Sequence, residues 1–532
     1  MKPLDGVRLE RLGRQPTEGG YQSMAIGFIR RRWRRPCCDA AEDISAGRVV
    51  ATFGVDALAG IPVAQVSGFY VLVPRSRLGV RIVAAFCNWL KREEWSAWPV
   101  HGERRHMLND PRTHGIWEVS APPPPGTQPL TGDAFADVAI VGAGYTGCST
   151  ALHLAERGID AAVLEAVDIG YGAAGRSSGL VNAGLWVMPS ALRQSLGPVY
   201  GERLLELLTY SPRTVFDVIE KYDIPCELIR NGTIHCAAGR SGDANIKERV
   251  RQWQERGAPV TLLGAGEMRE KIGTSAYTTG LLDMRAGTVQ PLAYVRGLAR
   301  AALTAGARVF TNSPVKQILR DGNTWRLVAP QGSLCARKVV LASDAYTAHI
   351  MPELRTSQVR VAIFQVATAP LGDNVRRQIL PEGHATWDTR TVPIGLRTEA
   401  TGRLIVNCVG ALRNTGIAVH TAWARRRAAA FFPQLGDVAF EHEWYGWIGT
   451  TSDHLPRLFA PAEDMIALVG FNGRGIAPGT VLGRELARHV AGDVALKDMF
   501  LPVSPLRAAP FRKAREAYYE LGAQIAHMPM VS

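Results

Sequence analysis

The chain lacks paired cysteines. Its eight cysteines, at 37, 38, 87, 148, 226, 236, 335 and 408, are scattered, and none forms a CxxC or a metal-ligand spacing. A zinc module is therefore excluded, no metal is expected, and there is no disulfide framework. A reducing cytoplasm is the expected compartment. No secretory cleavage pattern is present. No long apolar span survives inspection either. The run from Val49 to Val73 is broken by Asp56, Pro62 and several glycines. A central Asp costs about 2.5–3.5 kcal/mol on membrane-insertion scales. An obvious acid–base or nucleophile constellation is also missing, which does not exclude an enzyme.

What is present is a 532-residue chain with 46% hydrophobic and 20% charged residues, the balance of a globular enzyme. That length exceeds one core and predicts two intimate domains or more. Residues 1–106 stand apart. They hold 17 Lys and Arg against 10 Asp and Glu, a net of +7 out of +13 for the chain. Arg30-Arg31-Arg32-Trp33-Arg34-Arg35 is a dense basic cluster. Such a segment can be a basic arm for nucleic acid or anionic lipid, a signal-anchor, or no functional domain. The third reading is preferred: a poorly ordered extension or a non-native start, with no nucleic acid partner expected.

The stretch from Asp137 to Glu165 carries the strongest signal: an apolar strand, then Gly142-Ala143-Gly144-Tyr145-Thr146-Gly147, then an amphipathic helix stopped at Gly158, then a second strand. Gly142 suits a tight turn, Gly144 lets backbone approach a pyrophosphate, and Gly147 lets the helix pack on the strand. Tyr145 and Thr146 open the helix, whose free N–H groups face phosphates. Glu165 can accept hydrogen bonds from ribose hydroxyls. The following loop, GYGAAGRSSGLVNAG at Gly170–Gly184, argues for FAD over a nicotinamide cofactor. Arg176, Ser177, Ser178 and Gly179 sit where small residues and N–H donors can lie against a flat ring. A structureless loop of this length is usually functional or disordered.

With the late GFNGRGIAPGT at Gly470–Thr480, these motifs make the chain resemble the D-amino-acid oxidase family of flavoproteins. The likeness is nearest to the bacterial amine-oxidoreductase branch typified by gamma-glutamylputrescine oxidase, and spans roughly Met107 to Pro502. Met107 onward resembles a natural start of the family. The resemblance implies an α/β fold: an FAD-binding Rossmann-like domain of the glutathione-reductase type, interleaved with an α+β substrate domain on an antiparallel sheet. The expected division is a linker or arm at 107–136, FAD-binding pieces at 137–215, 286–352 and 445–500, substrate-domain pieces at 216–285 and 353–444, and a tail at 501–532. It further implies that the backbone of Val315 meets the adenine. Gly473, Gly475 and Ile476 would then face the flavin where its charge develops. Asp344 departs from the Gly or Asn common near the cofactor at its position.

The implied reaction is hydride transfer from a carbon beside an amine to flavin N5, with hydrolysis of the imine. Glycine-oxidase-like proteins carry an arginine where Gly473 stands, and sarcosine-oxidase-like proteins a lysine where Ala477 stands. Without these carboxylate anchors, the favoured substrate is a gamma-glutamylputrescine or polyamine-type amine, with oxygen or another acceptor taking the electrons. The alternative is a D-amino acid or a sarcosine- or glycine-type substrate, with a dehydrogenase passing electrons to a quinone or partner protein. A nicotinamide enzyme is a third option. Arg397 is a replacement anchor or a surface cation, the latter preferred. Trp387, Trp444, Tyr445 and Trp447 are an amine pocket or core aromatics. Oligomeric state is left open.

Overall fold

The computed structural model describes residues 114–347, 350–436 and 439–528, plus the backbone of two short antiparallel strands, Gly27–Ile29 and Tyr70–Leu72. Those strands apart, the basic extension, with its arginine cluster, lies outside the described residues. Residues 102–529 form one compact unit, separate from 1–101.

That unit is built on two eight-stranded sheets. In the first, the DVAIV run extends into a longer strand, Gly132–Val141, whose inner half is buried. Near-continuous apolar sequence is the mark of a parallel strand covered on both faces. Ala161–Leu164 and Gly332–Leu341 flank it in parallel, Arg308–Phe310 extends one side, and Met465–Val469 extends the other, also in parallel. Gln317–Asp321 and Thr324–Ala329 form a hairpin on the outer half of Gly332–Leu341. Val315 precedes that hairpin rather than standing in it.

The second sheet runs in the order 440–450, 359–368, 404–409, 395–398, 385–388, 233–236, 280–283, 260–263. Its pairs are antiparallel with one exception: Ala385–Asp388 lies parallel to Thr233–Cys236. The exception has a simple origin. These strands come from two separate passages of chain, so no hairpin joins them. The strand from Phe440 continues to Thr450 beside Val359–Thr368, well past the Trp444 end expected from sequence. Tyr445–Thr450 therefore belong to this sheet.

Two segments read as arm and tail are built in. Ile116–Ser120 is a short helix with Ile116 and Trp117 buried. Arg296 donates to Glu118 at 2.7 Å and to the Pro122 carbonyl at 3.1 Å, and Gln290 donates to the Trp117 carbonyl at 2.9 Å. Near the other end, Arg512–His527 is a helix. Its buried His527 stacks on Trp423 at 4.0 Å and shares a 2.7 Å Nδ1 to Nδ1 contact with His420.

A chain beginning at Met107 is expected to fold as the full chain does. One beginning at Pro122 loses Trp117, and truncating a buried Trp costs about 3–5 kcal/mol. Urea unfolding followed by tryptophan fluorescence reads the difference. Equal midpoints for the two would show that the short helix contributes nothing.

Candidate functional site

The fingerprint turn is shaped by close approach. Gly142 has φ +105°, and a Cβ there would stand 3.0 Å from the Ala342 carbonyl oxygen. A Cβ on Gly147 would collide with the Gly142 carbonyl. At Gly144 an added Cβ would meet only the Ala174 Cβ, at an ordinary contact distance of 3.9 Å, and the residue lines the cavity described next. The helix Tyr145–Ala155 starts with no side-chain cap, which leaves its first N–H groups for a ligand. Glu165 accepts from Ala143 N at 2.8 Å and Val167 N at 3.1 Å, bonds that brace the turn. Burial pushes its carboxyl up against the effect of those donors.

From this turn a cavity of about 610 Å³ runs between the sheets. Its size is that of a small-molecule or cofactor site. One end holds Glu165, Val315 and Lys316. The other holds Trp186, Trp387 and the loop Phe471–Ile476. The sequence candidates Gly142, Gly144, Tyr145, Thr146, Glu165, Arg176, Ser177, Ser178, Gly179, Val315, Gly473, Gly475 and Ile476 all line it. Gly147 does not. It serves the packing beneath.

The donor set fits a flavin dinucleotide. The turn offers free N–H groups for a pyrophosphate. Arg176, 4% exposed, leaves Nε and Nη2 without a partner and lies 4.6 Å from the Tyr171 ring. Unpaired buried guanidinium nitrogens are costly, and an anionic or carbonyl-bearing guest satisfies them. Gln365 and Asn407 face each other across paired strands at the cavity wall.

Two candidates are relocated. Arg397 is not on the surface: it is 1% exposed. Its Nη1 donates to Ser178 O at 2.9 Å and Val289 O at 2.8 Å, and Nε to Thr398 O at 3.2 Å. It is not among the residues that line the cavity. Gly179, at φ +77°, is a glycine because a Cβ there would strike that guanidinium. Trp444 is also core. It is 1% exposed and meets Trp117 edge-on at 5.8 Å. Trp387 and Trp447 do line the cavity, and Tyr445 does not.

Sequence reasoning named Arg474 as a carboxylate clamp only for the case that small amino acids are the substrates, and it did not foresee the residue's surroundings. Arg474 is 9% exposed, between Trp186 at 4.7 Å and Trp387 at 5.1 Å. It donates to Ala183 O at 3.2 Å, and its Nε has no partner. Burial first, and then Arg249, push its pKa down to about 9. Arg249 itself is pinned behind, donating to Trp186 O and Val187 O. His235 stacks on Trp387 at 4.8 Å and is held neutral by burial and then by the two arginines. Trp387 Nε1 is buried and unpartnered. Gln365 and Asn407 carried a signal that was overlooked: polar residues inside otherwise apolar strands.

Gly144→Val is expected to leave the unfolding midpoint close to that of FAD-free wild type while abolishing retention of the dinucleotide. Gly147→Ala is expected to lower the midpoint itself. Flavin absorbance after gel filtration, beside a thermal melt, separates the two. Full cofactor content in Gly144→Val would remove the turn from the binding site.

Among the described residues no group of three or more metal-ligating side chains exists, and no helix is long and apolar enough to cross a membrane. Comparison with known proteins agrees with the geometry. The chain is 29% identical to gamma-glutamylputrescine oxidoreductase of Escherichia coli over 72% of its own length and 92% of the relative's. It is 27% identical to the probable oxidoreductase OrdL of Rhizobium meliloti, over 73% and 92%. The fold matches the crystal structure of glycine oxidase from Geobacillus kaustophilus with a TM-score of 0.55 at 21% identity, covering 71% of this chain and 98% of that one. The DAO family model, described as FAD dependent oxidoreductase, matches residues 137–489, two thirds of the sequence. The chain belongs to the DAO family of FAD-dependent oxidoreductases.

Proposed function

We propose that the protein oxidises the C–N bond of a linear amine that also carries a carboxylate, of the gamma-glutamylputrescine type. The observation that carries this reading is Arg474. A buried guanidinium with an unpartnered Nε, beside an unpartnered indole N–H, needs an anionic guest. The sequence pointed away from a carboxylate because both familiar anchor positions hold Gly473 and Ala477. Arg474 supplies the charge from the position between them.

When bound, FAD accepts a hydride from the carbon beside nitrogen. The chain's own residues do the rest. Arg474 and Trp387 hold the acidic end of the substrate, and the two indoles flanking Arg474 exclude water from it. Neutral His235 backs Trp387 without adding a competing charge. The amine loses a hydride and a proton, giving an imine. Water then converts the imine to a carbonyl compound and a free amine. The electrons leave to oxygen, giving hydrogen peroxide, or to another acceptor.

A second reading has the same support: a small α-amino acid, its carboxylate on Arg474. Chain length separates the two. Anaerobic bleaching of the flavin by gamma-glutamylputrescine, putrescine, glycine, sarcosine and D-alanine is the test. The expected order puts gamma-glutamylputrescine first. Fast bleaching by the amino acids alone would select the second reading. Arg474→Gln should raise KM for the carboxylated substrate by about tenfold or more, since a charged hydrogen bond contributes about 1.5–3 kcal/mol and tenfold is about 1.4 kcal/mol. It should leave putrescine oxidation and flavin content unchanged.

A further inference from the structure

The departure at Asp344 is left unused by the reaction above. Asp344 follows the strand Gly332–Leu341 and takes a left-handed φ of 41°, unusual for a residue with a side chain. Its Oδ1 accepts from Gly470 N at 2.7 Å, at the entrance to the late loop. The Gly449 and Ala345 N–H groups act on the same carboxyl. Gln358 donates to its carbonyl at 2.8 Å. The side chain thus clasps the exits of three strands, 332–341, 440–450 and 465–469. The late loop it starts is held further on by Asn472, which donates N–H to Gly449 O at 3.0 Å and accepts from Thr451 N at 2.9 Å.

The clasp also faces the cofactor cavity. Ser343 Cα is 3.4 Å from where a Cβ on Gly142 would stand, so Asp344 is one residue from the pyrophosphate turn. An amide would accept the same backbone bonds. The carboxyl adds only a charge, and it adds it beside a dianionic guest. No cation hydrogen-bonds to it among the described residues, and Arg360, opposite Gly449, lies instead over Trp447 at 5.2 Å. The strands packed on this turn present the backbones of Gly449 and Gly470. The helix Pro352–Thr356 has Glu353 exposed and Arg355 paired with Glu516 at 3.1 Å. The other charges on the cavity wall are Glu165, Lys316, Arg176 and Arg474, and none of them hydrogen-bonds to Asp344.

We propose that Asp344 is a positioning residue that makes FAD retention depend on pH, holding the late loop in both states but admitting the dinucleotide best when its carboxyl is protonated. Burial already raises this carboxyl to about 6. Filling the cavity with an anionic guest that displaces water raises it further. FAD binding therefore takes up a proton, and affinity is highest below the free protein's value and falls as pH rises through the bound one. Glu165 shifts in the same direction but accepts two backbone N–H bonds at the turn itself.

The test is FAD release from the purified holoenzyme, by ultrafiltration and flavin fluorescence, from pH 5 to 8. The wild type is expected to hold FAD about eightfold more tightly at pH 5 than at pH 8, the result if bound FAD makes the carboxyl about ten times harder to deprotonate. Asp344→Asn keeps the clasp and removes the charge. Its retention should change less than about twofold over that range and exceed wild type at pH 8. Asp344→Ala loses the Gly470 bond and should release FAD faster at both ends, with circular dichroism checking that it is folded. A wild-type slope that persists in Asp344→Asn overturns the proposal, and so does a flat wild-type profile.

Discussion

The cavity lies between two sheets, and the contact that ties the second sheet to the loop lining it is the buried guanidinium of Arg397. It leaves the second sheet from Gly395–Thr398 and donates both to Ser178, in the small-residue loop, and to Val289, at the entrance to the helix Pro291–Thr304. Its only oxygen partners are neutral carbonyls, and burial lowers its pKa to about 10. A charge placed so deep is tolerated because its N–H groups are satisfied and Glu227 and Glu399 act on it electrostatically. Several features then follow. Gly179 has to be a glycine, Trp117 lies under the cation at 5.1 Å, and the loop bearing Arg176 is fixed in place rather than free.

Charge inside the cavity is under uniform pressure. Glu165 and Asp344 are pushed up and Arg474 down, each chiefly by loss of water. Every one of these groups is biased toward its neutral form. A guest that brings complementary charge relieves that bias at each place. The acids cluster near the turn that faces a dinucleotide, and the arginine stands at the opposite end, between Trp186 and Trp387. Lys316 and Arg176 stand on the same wall, so charges of both signs line the cavity.

The fingerprint was legible because its logic is local. Turn, helix and strand are consecutive, although Gly142 also answers to the distant Ala342 carbonyl. The second sheet was only partly legible. Its alternating strands could be read, but the parallel join of Ala385–Asp388 to Thr233–Cys236 depends on partners about 150 residues apart. Single side chains were the least legible. Nothing in the local sequence of Arg397 distinguishes a surface cation from a buried tie. Trp444 and Trp447 are three residues apart on one strand, an odd spacing that puts them on opposite faces, one in the core and one on the cavity wall. Arg474 was visible as a residue, but its meaning comes from two tryptophans and a second arginine brought in from distant passages.

The position of Met465–Val469 bears on how the chain is made. This strand completes the parallel sheet beside Gly332–Leu341, and the strand ending at Thr450 forms an edge of the other sheet. Neither sheet can close while the ribosome is still translating the middle of the chain. Through that interval Gly332–Leu341 has an open apolar edge, the kind of surface that pairs with the wrong partner. Correct assembly therefore waits until residue 469 has emerged, and the yield of native protein in a cell will depend on how well that edge is shielded until then.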